Sequence, residues 1–420
     1  MRLRRIRVGL RLSLWLVLLA LLLAQSTAAG RDRLEQIRRF TRAAEFDFAS
    51  WTVDAGLRKL GAVGLRAASY LREADRSSLV VEYARLVDRA AQVDRQIVAT
   101  YSNPSLADPA AQAAPLEDEL SGIRARQDEL APLVEETIQE QVAAVLAELG
   151  LAGGGMPVPP VLFHFTQLPL ALIVSPREVI REDADIQLEA DLDLAAQVGL
   201  EGRVEGALGV SALVVPVGGI GTYPTMVQES GSLGWVAEVV AHEWTHNYLT
   251  LRPLGLSYEA GPEPRTMNET AASLMGTAVG MLVLERFYPE LVPPPAPQAD
   301  SGGEAAVVEQ PAFEFRAAMH ETRVRVDALL AEGRVAEAEA YMEDRRQVFF
   351  ENGYPIRRLN QAYFAFYGAY ADEPGGAAGA DPVGAAVRQF WERFSSPAQF
   401  LRRISWMNDF EDLQRALTDR

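Results

Sequence analysis

Residues 236–249 read Val-Ala-Glu-Val-Val-Ala-His-Glu-Trp-Thr-His-Asn-Tyr-Leu, which sets His242, Glu243 and His246 in a His-Glu-x-x-His arrangement. Side chains four apart on an α-helix project from one face, one turn apart, so the two imidazoles can reach a single ion. Glu243 is rotated away from that direction and can lie beside the open coordination position. A zinc ion with three protein ligands and one water lowers the pKa of that water to about 7. A neighbouring carboxylate can take the proton as the water attacks a carbonyl carbon, then pass it to a leaving amine. The chain has only four histidines, His164, His242, His246 and His320. With histidine this rare, a chance match to the spacing is on the order of a few per thousand. The bland alternative is a pair of surface histidines beside an incidental Glu, against which stand the apolar residues that precede them and would bury the helix.

There is no cysteine, so disulfides, thiol nucleophiles and Cys-ligated zinc are excluded and a third ligand has to be His or carboxylate. Downstream stand Glu259, Glu263, Glu269 and Glu285. Glu259 and Glu263 fall in Tyr-Glu-Ala-Gly-Pro-Glu-Pro, which is loop chemistry. Glu285 comes at the far end of the next helix, beside Arg286. Glu269 opens an otherwise apolar helix, where a buried carboxylate is costly unless paired or metal-bound. Its alternative role is to complement the helix dipole. In the metzincin pattern a Gly and a His stand three and six residues after the second His; here Leu249 and Arg252 occupy those positions, which excludes that class.

The motif His242-Glu243-Trp244-Thr245-His246, with Asn268-Glu269 downstream, resembles the gluzincins, the zinc peptidases that include thermolysin-like enzymes and many aminopeptidases. The resemblance covers about residues 205–290. It implies one Zn2+ held by His242, His246 and Glu269, with Glu243 as general base, in a zincin-like core with a small sheet. Thermolysin-like enzymes carry an acid four residues after the ligand Glu; here that position is Ser273. The Gly-Ala-Met-Glu-Asn signature of gluzincin aminopeptidases is missing, and residues 214–225 occupy the segment that would form the edge strand beside an extended peptide. No residue in it is an evident receptor for a substrate α-amine. For the oxyanion, a donor is sought among Tyr258, Tyr354, Tyr363, Tyr367, His320 and His164. Asn360, Tyr363 and Tyr367 share one helical face, although aromatics at that spacing more often belong to a core. Asn268, Ser273, Tyr363 and Tyr367 are the candidates for supporting the ligands or the transition state.

The elements that must position these groups are mostly helical. Residues 31–150 carry apolar stripes at helical spacing, interrupted by breakers at 102–115. A Gly/Pro-rich stretch at 150–160 marks a boundary. Strands are expected within 161–174 and at 211–217, helices at 188–204, 231–249 and 266–287. Residues 291–311 form a Pro/Gly-rich linker. Beyond them, 313–352 reads as one long helix or a hairpin broken near Gly333, followed by helices at 360–370, 382–394 and in the tail. The expected fold class is α+β, predominantly α-helical, with a metallopeptidase core at 156–290 between helical regions at 31–150 and 312–420.

Composition bounds the partners. The formal net charge is −17, and five of the 40 basic residues lie in the first eleven positions. So acidic a body argues against nucleic-acid binding. Residues 1–29 join that arginine-rich start to an apolar run and small residues, which describes a secretory signal peptide, or a signal anchor with membrane association through residues 8–24. Either way the body is expected outside the cytoplasm, secreted or membrane-anchored. The expected activity is a zinc-dependent hydrolase, a metalloprotease acting on a peptide or protein substrate. The competing reading is an inactive zinc-containing envelope protein that binds peptides or serves as a helical assembly scaffold.

Overall fold

A computed structural model describes residues 31–65, 70–101, 108–217, 219–220, 222–293, 313–369 and 382–418. Residues 1–29, and most of the expected linker at 291–311, lie outside them. No helix among the described residues is long and apolar enough to cross a membrane. The fold is α+β and mostly helical with small sheets.

Four helices come first: α1 (Arg31–Thr41), α2 (Phe48–Leu65), α3 (Glu73–Tyr101) and α4 (Pro109–Glu148). Asp108 caps α4 by accepting the Ala111 N–H at 3.0 Å. Pro115, expected in the loop, is therefore inside the helix. A short hairpin of β1 (Ala152–Gly153) and β2 (Met156–Pro157) follows, then β3 (Phe163–Phe165), β4 (Leu170–Pro176) and β5 (Ala184–Leu188). The helix expected from 188 begins later: α5 (Leu194–Leu208) starts where Asp193 accepts the Ala196 N–H, and residues 184–188 are strand. Their alternation of buried Ala184, Ile186 and Leu188 with Asp185 and Gln187 has the period of a sheet. Three more strands, β6 (Val210–Pro216), β7 (Gly219–Ile220) and β8 (Thr225–Val227), lead to α6 (Leu233–Leu249).

After α6 come the short α7 (Pro253–Leu256), a 3-10 turn at Tyr258–Ala260, and α8 (Pro262–Phe287). This places Glu263 in the first turn of α8 rather than in a loop. The C-terminal part holds α9 (Phe315–Ala331), α10 (Val335–Glu351), α11 (Gln361–Ala369), α12 (Pro382–Trp391), α13 (Pro397–Ile404) and α14 (Phe410–Thr418). Gly333, at φ 75°, turns α9 into α10, which is the hairpin alternative of the sequence reading.

One antiparallel sheet has the order β5-β4-β6, and a second the order β3-β8-β7 with β3 parallel to β8. One face of the first sheet, with Leu172, Val174 and Ile186, packs on Ile37 of α1 and on Leu200 and Val204 of α5. Its other face, with Ala171 and Ile173, packs on Ala362 and Phe366 of α11. The largest core joins α4, α6, α8 and α12–α14, so residues before 151 and after 382 share it with the motif-bearing helix.

His164 belongs to this framework. Its Nδ1 lies 2.8 Å from Glu135 Oε1, which also accepts the Phe165 N–H, while Lys59 donates to Glu135 Oε2. Glu201 anchors α11 to the first sheet. Fully buried, it accepts from Arg357, from Arg358 and from the Val214 N–H at 2.7 Å. Burial alone would raise its pKa, but these donors outweigh burial and hold it below the usual carboxylate range. Its stabilisation is therefore present above the ordinary glutamate pKa and lost as pH falls through the depressed folded value. We expect Glu201→Gln to cost about 2 kcal/mol at neutral pH, less than a fully buried pair because both guanidiniums stay partly exposed. Urea unfolding at neutral and acid pH checks this, since the gap between variant and wild type should close in acid.

Candidate metal centre

His242 and His246 sit on α6, and Glu269 in the second turn of α8. The two helices run together closely because α8 presents glycines to α6. A Cβ on Gly276 would lie 2.9 Å from the Glu238 carbonyl oxygen and 3.1 Å from His242 Cβ. One on Gly280 would lie 3.0 Å from the Glu238 nitrogen. Thr277 adds a hydrogen bond of 2.8 Å to Glu238. Only residues without a side chain allow this separation, and it carries the Glu269 carboxylate to the histidine pair.

The two imidazole Nε2 atoms are 3.0 Å apart, and Glu269 Oε2 is 3.6 Å from that of His242 and 3.5 Å from that of His246. The last two are too long to be hydrogen bonds. Three atoms at these separations lie on a circle of radius about 2.0 Å, which fits metal–ligand bonds of roughly 2.0–2.1 Å. The carboxylate supplies a second sign of fit: Glu269 is 4% exposed, and its buried Oε2 accepts no hydrogen bond among the described residues. A buried carboxylate oxygen without a donor costs free energy unless a cation faces it. The group can hold a metal ion.

Neighbours orient each ligand. His246 Nδ1 lies 2.8 Å from Asn268 Oδ1. Because that oxygen only accepts, Nδ1 carries a proton, and in the neutral ring Nε2 presents its lone pair toward the centre. Tyr258, on the turn between α7 and α8, donates its hydroxyl to Glu269 Oε1 at 2.6 Å, leaving Oε2 for the ion. His246 and Glu269 shift one another. Burial opposes a proton on His246, yet the facing Glu269 carboxylate outweighs burial and raises the ring to about 9. Burial likewise works to raise Glu269, but the imidazoles hold it well below the carboxylate range.

Glu243 is buried, and burial pushes its carboxyl upward. The β7 backbone passes directly over it, since a Cβ on Gly219 would come within 2.7 Å of Glu243 Oε1. A cavity of about 380 Å³ collects His242, Glu243, His246, Asn268 and Glu269 with Tyr258, Phe366 and residues of β5 and β7.

No family model matches the chain, and no curated protein or solved structure matches it.

The remaining expected residues fall elsewhere. Ser273 is buried one turn beyond Glu269 and does not line the cavity. Tyr363 and Tyr367 stack on each other with centroids 4.4 Å apart, and it is Phe366, on the neighbouring face of α11, that reaches the cavity. Asn360 ties α11 down, donating to the Ala212 carbonyl and accepting the Tyr363 N–H. Among the suggested oxyanion donors, only Tyr258 lines the site. Sequence reasoning missed Asp185 and Gln187, whose signal was the two-residue alternation of β5. It also missed Gly276 and Gly280, whose four-residue spacing on an apolar helix marks a close helix contact.

Two substitutions test the geometry. Gly276→Val should force α8 away from α6 and weaken metal binding by tenfold or more, about the size of losing a supporting contact. Tyr258→Phe should weaken it by roughly 10–100-fold by releasing Glu269 Oε1. Competition against a chromophoric chelator reads both, with circular dichroism reporting that the helices persist.

Proposed function

We propose that this protein is a zinc-dependent metallopeptidase with a gluzincin-like core, in which His242, His246 and Glu269 hold the ion and Glu243 is the general base. The observation that carries the reading is the convergence of two imidazole Nε2 atoms and a donorless buried carboxylate oxygen beside a second, separately buried carboxylate. Structural zinc sites are closed by four protein ligands. Here the cluster offers three, and the next nearest acid on the helix is rotated away from the ligand direction. Zinc suits this donor set of two imidazoles and a carboxylate, and when bound it polarises a carbonyl and acidifies water.

The chain's own residues do the rest. Glu243 takes a proton from the attacking water at its carboxylate and returns it to the leaving amine. Asn268 and Tyr258 keep His246 and Glu269 aimed, so the site is assembled before substrate arrives. Peptide as the substrate class is supported by β7. It pairs with β8 on one side only within its sheet and runs against Glu243, so its outer backbone edge can pair with an extended chain. The arginine-rich, apolar N-terminal segment of the sequence supports export of this activity.

Zinc content and hydrolysis of a broad peptide library test the reading together. The wild type should bind one zinc and cleave. Glu243→Gln should keep the metal and lose roughly 10²–10⁴-fold in kcat, the usual contribution of a general acid–base group. His246→Ala should lose both. Zinc without hydrolysis would leave a peptide-binding protein, and a wild type that takes up no zinc would sink the metal reading.

A further inference from the structure

Helix α6 presents one face to the metal centre and another to β7. His242 and His246 look toward Glu269, whereas Val239, Glu243 and Asn247, each four residues from the next, share a neighbouring face. At one end of that second face, a Cβ on Gly219 would come within 2.9 Å of Val239 Cγ1 and 2.7 Å of Glu243 Oε1. At the other end, Asn247 reaches the turn that joins β7 to β8.

The Asn247 amide spends both of its protons on that turn. Nδ2 donates to Thr225 Oγ1 at 3.2 Å and to the Thr222 carbonyl at 3.4 Å. The buried Thr225 hydroxyl donates in turn to the same carbonyl at 3.3 Å. Thr222 closes onto β7, its N–H donating to the Ile220 carbonyl at 2.8 Å. A chain of bonds thus runs from the residue beside a metal ligand to the end of β7. The two strands are not held alike. β8 is buried and lies between β3 and β7, pairing with β3 along its whole length. β7 has two residues, both half-buried, paired with β8 alone in its sheet. Its place over Glu243 therefore rests on β8 and on two contacts with α6, at Gly219 and at Asn247.

We propose that Asn247 is a positioning residue for the substrate backbone: by bonding the Thr222–Thr225 turn it holds β7 against α6, where an extended peptide pairs with that strand. It acts through β7 rather than on the metal or the reacting bond. The proposal deepens the peptidase reading and rests on it for the chain that pairs with β7. The effect has a distinctive form. Releasing the turn weakens the contacts along β7, so its cost grows with the length of peptide laid against the strand. A residue that only stabilised the fold would cost long and short peptides alike.

The test compares Asn247→Ala and Thr225→Val, which remove opposite ends of one hydrogen bond, with the wild type in the zinc-loaded protein. It reads kcat/KM for a blocked hexapeptide divided by kcat/KM for a blocked dipeptide with the same scissile bond. That ratio should fall about two- to tenfold in each variant, the size of an ordinary hydrogen bond, and through KM rather than kcat. The double variant should fall no further than either single one, because both substitutions act on one turn. Zinc stoichiometry and circular dichroism report that the fold is intact. An unchanged ratio, equal losses on the two peptides, or losses that add in the double variant would each overturn the proposal.

Hydrogen exchange on zinc-loaded Glu243→Gln separates this proposal from the reaction. The hexapeptide should slow exchange of the β7 amides, and adding Asn247→Ala should remove most of that protection. Protection that Asn247→Ala leaves in place overturns the positioning role. Protection that it removes, where the wild type cleaves nothing, keeps that role and rejects the peptidase. Cleavage by the wild type without protection of β7 does the reverse. Neither protection nor cleavage rejects both.

Discussion

The contact between α6 and α8 governs this molecule. Two helices with ordinary side chains at their interface keep their axes about 8–10 Å apart. Gly276 and Gly280 remove the side chains at the points where α8 meets the Glu238 backbone, so the approach there is backbone against backbone. Around that contact the helices are apolar, with Val236, Val240, Ala241, Met275, Val279 and Val283 in one core. The same approach that buries this core sets Glu269, on the next turns of α8, across from His242 and His246. The apolar packing thus fixes a polar constellation in which the two imidazole Nε2 atoms lie 3.0 Å apart.

The outer layers position what approaches the cluster. Glu201 ties the first sheet to the segment before α11 through Arg357 and Arg358, and Asn360 bonds α11 to β6. These links place Phe366, Asp185 and Gln187 on the same side of the cavity. The β7 strand, short and at a sheet edge, closes the other side over Glu243. The cleft is therefore built between two small sheets and one helix pair, and its walls come from segments widely separated in the chain.

The helix pair was legible in the sequence because its information is local. His242 and His246 are one turn apart, and Glu269 stood out as a single carboxylate in an apolar run. Asn268 was legible for the same reason, as its neighbour. Tyr258 was one of six candidates for an oxyanion donor, behind Tyr363 and Tyr367, since only the 3-10 turn after α7 brings it to Glu269. Tyr363 and Tyr367 were drawn by a helical stripe, but the stripe does not say which face of α11 the sheet takes. The strand at 184–188 was hidden because five residues that include an acid and an amide carry little β signal, and its pairing with β4 is a tertiary fact. Of α4, the long apolar stripe was plain, while Pro115 signalled a break that a helix already capped at Asp108 does not make.

Buried carboxylates separate the structural sites from the candidate metal centre. Four glutamates are buried among the described residues: Glu135, Glu201, Glu243 and Glu269. Glu135 has a lysine on one oxygen and a histidine and a backbone N–H on the other. Glu201 has two arginines and a backbone N–H. Both are satisfied by groups that carry their own protons and stay in place, which is how a fold makes a buried anion permanent. Glu269 has a tyrosine on one oxygen, and the other oxygen looks toward the two imidazole nitrogens of His242 and His246. The fold that neutralises two buried carboxylates with its own cations leaves the third, in the cleft, to be neutralised by something that can bind and be exchanged. His242, His246 and Glu269 can hold a metal ion there, at the place where the packing of α6 and α8 brings them together with the buried Glu243.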